Sequence, residues 1–276
     1  MNPKPIQSKF AAMGARLKVR EFPSVLREVN GQRVSLIDYA VDIQRDARGE
    51  HFELRVPSHL TRSLEVTVLQ AEPWRRHLLL LVRKPGAQSK LDRFLCGHDE
   101  REWFVAAVPG GASSVRQAMD ALQPAEVREA LARQNVPSRK RHTRRNDAFR
   151  RQGEWFFVPE PGLVVSESLI LRNEPIRRGG GKPHLIAELH RTEGETVHVC
   201  DKHPNGLTPD EYRSILLSEP GAVSWRWTVM RRNARAYARG TVRHADHAVI
   251  TLPCWHRVLM NTENQSGAMS NMAFLD

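Results

Sequence analysis

Cysteine is scarce in this chain of 276 residues, which has only Cys96, Cys200 and Cys254. They are odd in number and far apart, so no disulfide framework is expected. The thiols read as free, or as metal ligands, in a reducing, cytoplasmic setting. Long apolar runs are missing too. No run exceeds six residues, as at Trp103 to Val108, with five from Leu78 to Val82, and the opening MNPKPIQSKFAAMGARLKV holds no apolar stretch of leader length. Neither a membrane-crossing helix nor a signal segment is expected. The glycine run 179–181, flanked by Arg177, Arg178 and Lys182, lacks the spacing of a nucleotide-triphosphate loop. No glycine precedes a four-residue gap, and Pro183 stands where Ser or Thr would bind magnesium. A hairpin loop is the default there.

Acids are also in short supply, with 31 Asp and Glu against 42 Lys and Arg. The resulting charge of +11 is concentrated. Between residues 139 and 151 seven cations face Asp147 alone, and between 226 and 243 six arginines face no acid. The remainder of the chain is nearly balanced. Clustered cations of this kind neutralise neighbouring phosphates, and guanidinium groups fork onto oxygens and stack on bases. The competing reading is a pair of solvated faces served by the chain's own carboxylates.

With 40% hydrophobic residues the chain can fill one large or two ordinary cores. Ala15 to Phe22 alternates as a cationic strand. Ile37, Tyr39, Val41 and Ile43, a turn at 46–49, and Phe52, Leu54 and Val56 give a half-buried hairpin that ends at Pro57. Leu64, Val66 and Val68 suggest another strand, and His77 to Arg83 is apolar enough to be central and covered on both faces. Strands near 93–96 and 102–107 are expected to join through a Gly97-His98-Asp99-Glu100 turn, whose histidine and carboxylates could serve acid–base work but suit a plain turn. Ser114 with Gln117 starts a helix that breaks at Pro124 and resumes through Val127 and Leu131.

The stretch 138–152 reads as a connector too densely basic to order without an anion. Trp155 follows it in a strand-like aromatic run, and basic residues beside rings suit single-stranded nucleic acid. Trp155 and Phe157 share a strand face, so core packing is the alternative. Farther on, strands are expected at 164–165, 168–171 and 196–200, a strand or helix at 184–191, and a turn at 201–206. A helix capped by Thr208, Pro209 and Glu211 should bury Tyr212, Ile215 and Leu216.

Arg231 to Val258 reads as a hairpin with its tip at 243–247. Pro253 is expected to place Trp255 and His256 at a strand end or edge. Cys200-x-x-His203 and His244-x-x-His247 have the separation of zinc half-sites, with Cys254 and His256 as a third pair. His244, His247 and His256 could instead act as general base and acid on a phosphodiester, since imidazoles give and take a proton near neutral pH.

The sequence therefore predicts an α+β protein: two β-rich domains with antiparallel sheets and a few short helices, 1–137 and 153–276, joined by the basic connector 138–152. The expected function is binding of RNA or single-stranded DNA. Arg139, Lys140, Arg141, Arg144, Arg145, Arg150, Arg151, Trp155, Arg231, Arg232, Arg235, Arg239 and Arg243 would make the contacts. The rival roles are a phosphodiesterase using His244, His247 and His256, and a subunit that meets an acidic protein. No cofactor is required, though zinc on Cys200, His203, His244 and His247 is a possible addition.

Overall fold

The computed structural model describes residues 3–24, 26–29, 32–35, 38–84, 90–178 and 181–268. The protein is β-rich, with several antiparallel sheets and, among these residues, four α-helices. The described residues fall into two compact units, 3–123 with 265–268, and 124–264. No helix among them is long and apolar enough to cross a membrane.

The first unit opens with α1 (Lys4–Ala12). Pro5 suits its first turn, and Ile6 and Phe10, four apart, are its buried face. The strands are β1 (Leu17–Phe22), β2 (Leu26–Val29), β3 (Gln32–Ser35), β4 (Ala40–Asp46), β5 (Gly49–Pro57), β6 (Glu65–Glu72), β7 (His77–Lys84), β8 (Lys90–Asp99) and β9 (Glu102–Ala107), followed by α2 (Val115–Ala121). The expected hairpin is β4–β5, apart from Ile37, which lies outside the described residues. Its β5 also takes β1 as a parallel neighbour, a pairing no local pattern announced. The meander β6-β7-β8-β9 places β7 inside. Leu78, Leu80 and Val82 pack against Phe10, Phe52 and Leu54, while Leu79 points the other way, onto Val115 and Ala118 of α2. Both faces of β7 are thus covered. The 97–100 turn is corrected: Gly97 and His98 belong to β8, and the reversal is at Glu100, which has φ +52°.

The second unit contains α3 (Ala125–Arg133), β10 (Arg150–Gln152), β11 (Trp155–Pro159), β12 (Leu171–Ile176), β13 (His184–Thr192), β14 (Glu195–Cys200), β15 (His203–Leu207), α4 (Pro209–Ser218), β16 (Thr228–Arg232), β17 (Arg235–Arg243) and β18 (Ile250–Met260). A six-stranded antiparallel sheet runs β10-β11-β18-β17-β13-β12, and a three-stranded one runs β15-β14-β16. Trp155 and Phe157 join Ile186, Leu189, Val242 and Val258 on one face of the larger sheet. Phe156 and Val158 face the opposite way, onto Val127 and Leu131 of α3.

Several expectations change here. The 138–152 stretch is not a free-standing connector. It lies inside the second unit, because Ala148 and Phe149 are buried with α3. The helical pair is divided between the units at Pro124. Trp255 and His256 are buried in β18, which is an inner strand of the sheet. Pro253 is tolerated there because the β17–β18 register shifts between Ala238↔His256 and Gly240↔Leu252. A bulge is where a strand accepts a residue that has no N–H to donate. Val164 is exposed in a segment without strand structure, and His203 to Leu207 forms β15 instead of a turn. The capping box of Thr208 and Glu211 forms as expected, yet none of α4 is buried. Gly179, Gly180 and the 272–275 tail lie outside the described residues.

Candidate nucleic-acid interface

The basic segment 139–151 is shaped by its own short polar side chains. Asn146 Oδ1 accepts from the N–H groups of Ala148 and Phe149 at 2.9 and 3.1 Å, while its Nδ2 donates to the Lys140 carbonyl at 3.2 Å. The Arg151 N–H donates to the Arg144 carbonyl at 2.7 Å, and Arg141 Nε to that of Val136 at 3.1 Å. Side-chain bonds to nearby backbone give a loop its shape without a ladder. The buried Phe149 ring, 5.1 Å from that of Phe156, fixes the loop to the core. Arg139, Lys140, Arg141 and Arg145 are exposed from this ordered backbone, and Arg144, Arg150 and Arg151 are half-buried.

A cleft of about 520 Å³ opens beside the loop. It is lined by Lys140, Thr143, Arg145, Asn146 and Arg150, by Cys254 and His256 of β18, and by one acid, Asp147. Among the described residues, no carboxylate pairs with Arg139, Lys140, Arg145 or Arg150. Arg150 donates to the Thr251 carbonyl. Burial, then the like charge of Arg145, pulls the Arg150 guanidinium below its usual range. His256 Nδ1 lies 2.7 Å from the Cys254 carbonyl and donates to it. Burial above all lowers that imidazole below its ordinary value, with Arg150 adding to it against the opposing hydrogen bond to Cys254. The cleft is therefore cationic, with Lys140, Arg145 and Arg150 in its lining against the single acid Asp147.

The second arginine group differs. Arg232 lies opposite Glu195 in the β14–β16 register and pairs with it at 2.5 Å. Arg239 lies opposite Glu188 in the β13–β17 register, pairs with it at 2.5 Å, and sets its guanidinium 4.7 Å from the Trp255 ring. Arg235 meets Glu193 at 3.1 Å, Arg231 donates to the Glu193 carbonyl at 3.2 Å, and Arg243 donates to Asn173 at 3.3 Å. The acids come from residues 188–195, far away in sequence: Glu188 and Glu195 lie directly across the sheets, and Glu193 is in the turn between β13 and β14. Cross-strand partners of opposite charge offset one another.

Trp155 has no exposed surface, so its indole is core and is not a base-stacking ring. The half-buried rings of this unit lie elsewhere. Trp225 and Trp227 flank His203 at 5.7 and 5.8 Å, Tyr212 stacks on His198 at 3.9 Å, and Lys202 sits 3.8 Å over Trp225. The Trp-Arg-Trp spacing at 225–227 was the signal for this group.

The histidines separate into three places. His203 belongs to that aromatic group, with Cys200 buried opposite it across the β14–β15 turn. His256 lines the cleft. His244 and His247, at the tip between β17 and β18, meet His184 at the start of β13. The proposed set Cys200, His203, His244 and His247 does not assemble, and neither does the trio His244, His247 and His256. The group of potential ligands among the described residues is His184, His244 and His247. His184 escaped the sequence reading because only the β13–β17 pairing, with Leu185 opposite Arg243, brings it to the tip.

Compared with known protein families, characterised proteins and solved structures, the chain matches none.

Proposed function

We propose that the protein binds polyanions through the cleft beside 139–151, and that the polyanion is a nucleic acid. The observation that carries this reading is the crowding of Lys140, Arg145 and Arg150 around an open cleft without carboxylate partners, while Arg232, Arg235 and Arg239 are offset by Glu195, Glu193 and Glu188. Cations held close together on a fixed loop gain most from a ligand that brings several phosphates at matching spacing. Thr143 and Asn146 add neutral groups able to bond phosphate oxygens. The dispersal of His244, His247 and His256 favours binding over phosphodiester cleavage. Free thiols at all three cysteines suit a reducing, cytoplasmic setting.

The test is a salt titration of binding to single-stranded RNA and DNA oligonucleotides by the full chain. Affinity should fall linearly on a logarithmic salt axis, and Arg145→Ala and Arg150→Ala should each flatten the slope by about 0.7 for a single strand. Arg232→Ala and Arg235→Ala should leave it unchanged. A slope near zero, or one that only the 231–239 substitutions alter, removes the proposal. Tight binding to an acidic polypeptide with no oligonucleotide binding would point to the assembly role instead.

A further inference from the structure

We infer that His184, His244 and His247 form a binding site for a divalent transition metal of the zinc class, closing the tip of the β17–β18 hairpin onto the start of β13. One ligand nitrogen from each of the three lies within 4.8 Å of the others. The rings are stacked, with His184 and His244 4.2 Å apart, His244 and His247 4.5 Å, and His184 and His247 5.7 Å, at mutual angles of 25–26°. Tetrahedral zinc holds its nitrogens about 3.3 Å apart, so modest ring rotations close the set.

Three further observations point to a ligand. His184 is 1% exposed, and neither of its ring nitrogens has a hydrogen-bond partner. Such burial costs free energy unless something takes up the lone pair. Next, a Cβ on Gly153 would stand 3.1 Å from His247 Nε2 and 3.3 Å from His184 Nε2. The absent side chain leaves room in front of both nitrogens. Finally, His244 Nδ1 accepts the Asp246 N–H at 3.2 Å and lies 3.9 Å from the Asp246 carboxylate. With Nε2 on a metal, the imidazole proton would sit on Nδ1 in place of the accepted Asp246 N–H bond and face this carboxylate. Carboxylate behind histidine is the usual outer support of such sites. Lys182, 2.6 Å from Asp246, holds the carboxylate in place.

Imidazole donors select zinc, cobalt, nickel or copper over magnesium or calcium, and three of them leave the fourth position to water. The ion would join β13 to the hairpin tip. This inference is independent of the nucleic-acid reading.

The chelator-stripped full chain, titrated with Co²⁺ without nucleic acid, should develop visible ligand-field bands that saturate at one ion per chain, and Zn²⁺ should displace them and raise Tm. His184→Gln and His247→Gln should abolish both effects. His203→Gln should change neither, which separates this site from the Cys200–His203 pair. Asp246→Asn should weaken affinity about 10- to 100-fold. Failure of the folded wild-type chain to take up Co²⁺ overturns the inference even if a histidine variant does not fold. Bands that survive His184→Gln overturn it as well.

Discussion

Trp155 illustrates how one side chain can invite two readings from its neighbours. It follows seven cations, as a base-stacking ring might, and alternates with Phe157, as a core ring should. The fully buried indole lies among Phe157, Ile186 and Val258, and its N–H has no hydrogen-bond partner. Trp155→Ala should therefore cost about 3–5 kcal/mol in denaturant unfolding. Trp155→Phe should cost much less, since it keeps most of the apolar volume and removes an unsatisfied donor. Equal losses from both variants would place the energetic weight on the N–H and contradict the packing account. The same residue scale explains Gly153. With φ +57° it adopts the left-handed turn conformation that glycine enters without strain, and it leaves space beside two imidazoles.

At the scale of elements, Asp46 connects the β4–β5 turn to β1, the strand whose parallel pairing was not legible locally. Its carboxylate takes the Arg16 guanidinium through both oxygens, at 3.0 and 2.8 Å, and Lys18 at 2.7 Å. Hydrogen bonds from Arg16 first, then Lys18, hold the carboxyl well below the usual carboxylate range. An acid depressed on folding adds stability above its unfolded value and loses it as the pH falls below about 4. Asp46→Asn should lower stability at pH 7 and flatten its loss between pH 5 and pH 2, as read from urea midpoints. An unchanged acid slope would show that other carboxylates control it. The β13–β17 pairing works similarly, by bringing Glu188 to Arg239 and His184 to the hairpin tip.

Across the whole molecule, two basic segments of similar net charge differ in their partners. Arg232, Arg235 and Arg239 meet acids, whereas Lys140, Arg145 and Arg150 line a cleft that also contains the half-exposed Cys254. Cys96 and Cys200 are buried, and burial pushes the Cys96 thiol up. A thiol reagent should therefore label Cys254 alone in the native protein and all three cysteines after unfolding. Bound oligonucleotide should slow the native labelling. Labelling that is indifferent to saturating oligonucleotide would place the nucleic acid away from the cleft.

The sequence alone determined the features that depend on near neighbours. The alternation of β4 and β5, the continuous apolar run of β7, the Thr208–Glu211 cap, and a hairpin with its tip near His244 and His247 were all legible. The reason is that strand faces, caps and turns are set within a few residues. Only the tertiary structure decided which arginines have acids opposite them, whether Trp155 faces solvent, and which third histidine joins His244 and His247. Each of these depends on strand pairings between residues tens of positions apart, and the register of such pairings is fixed by the packing of the whole sheet.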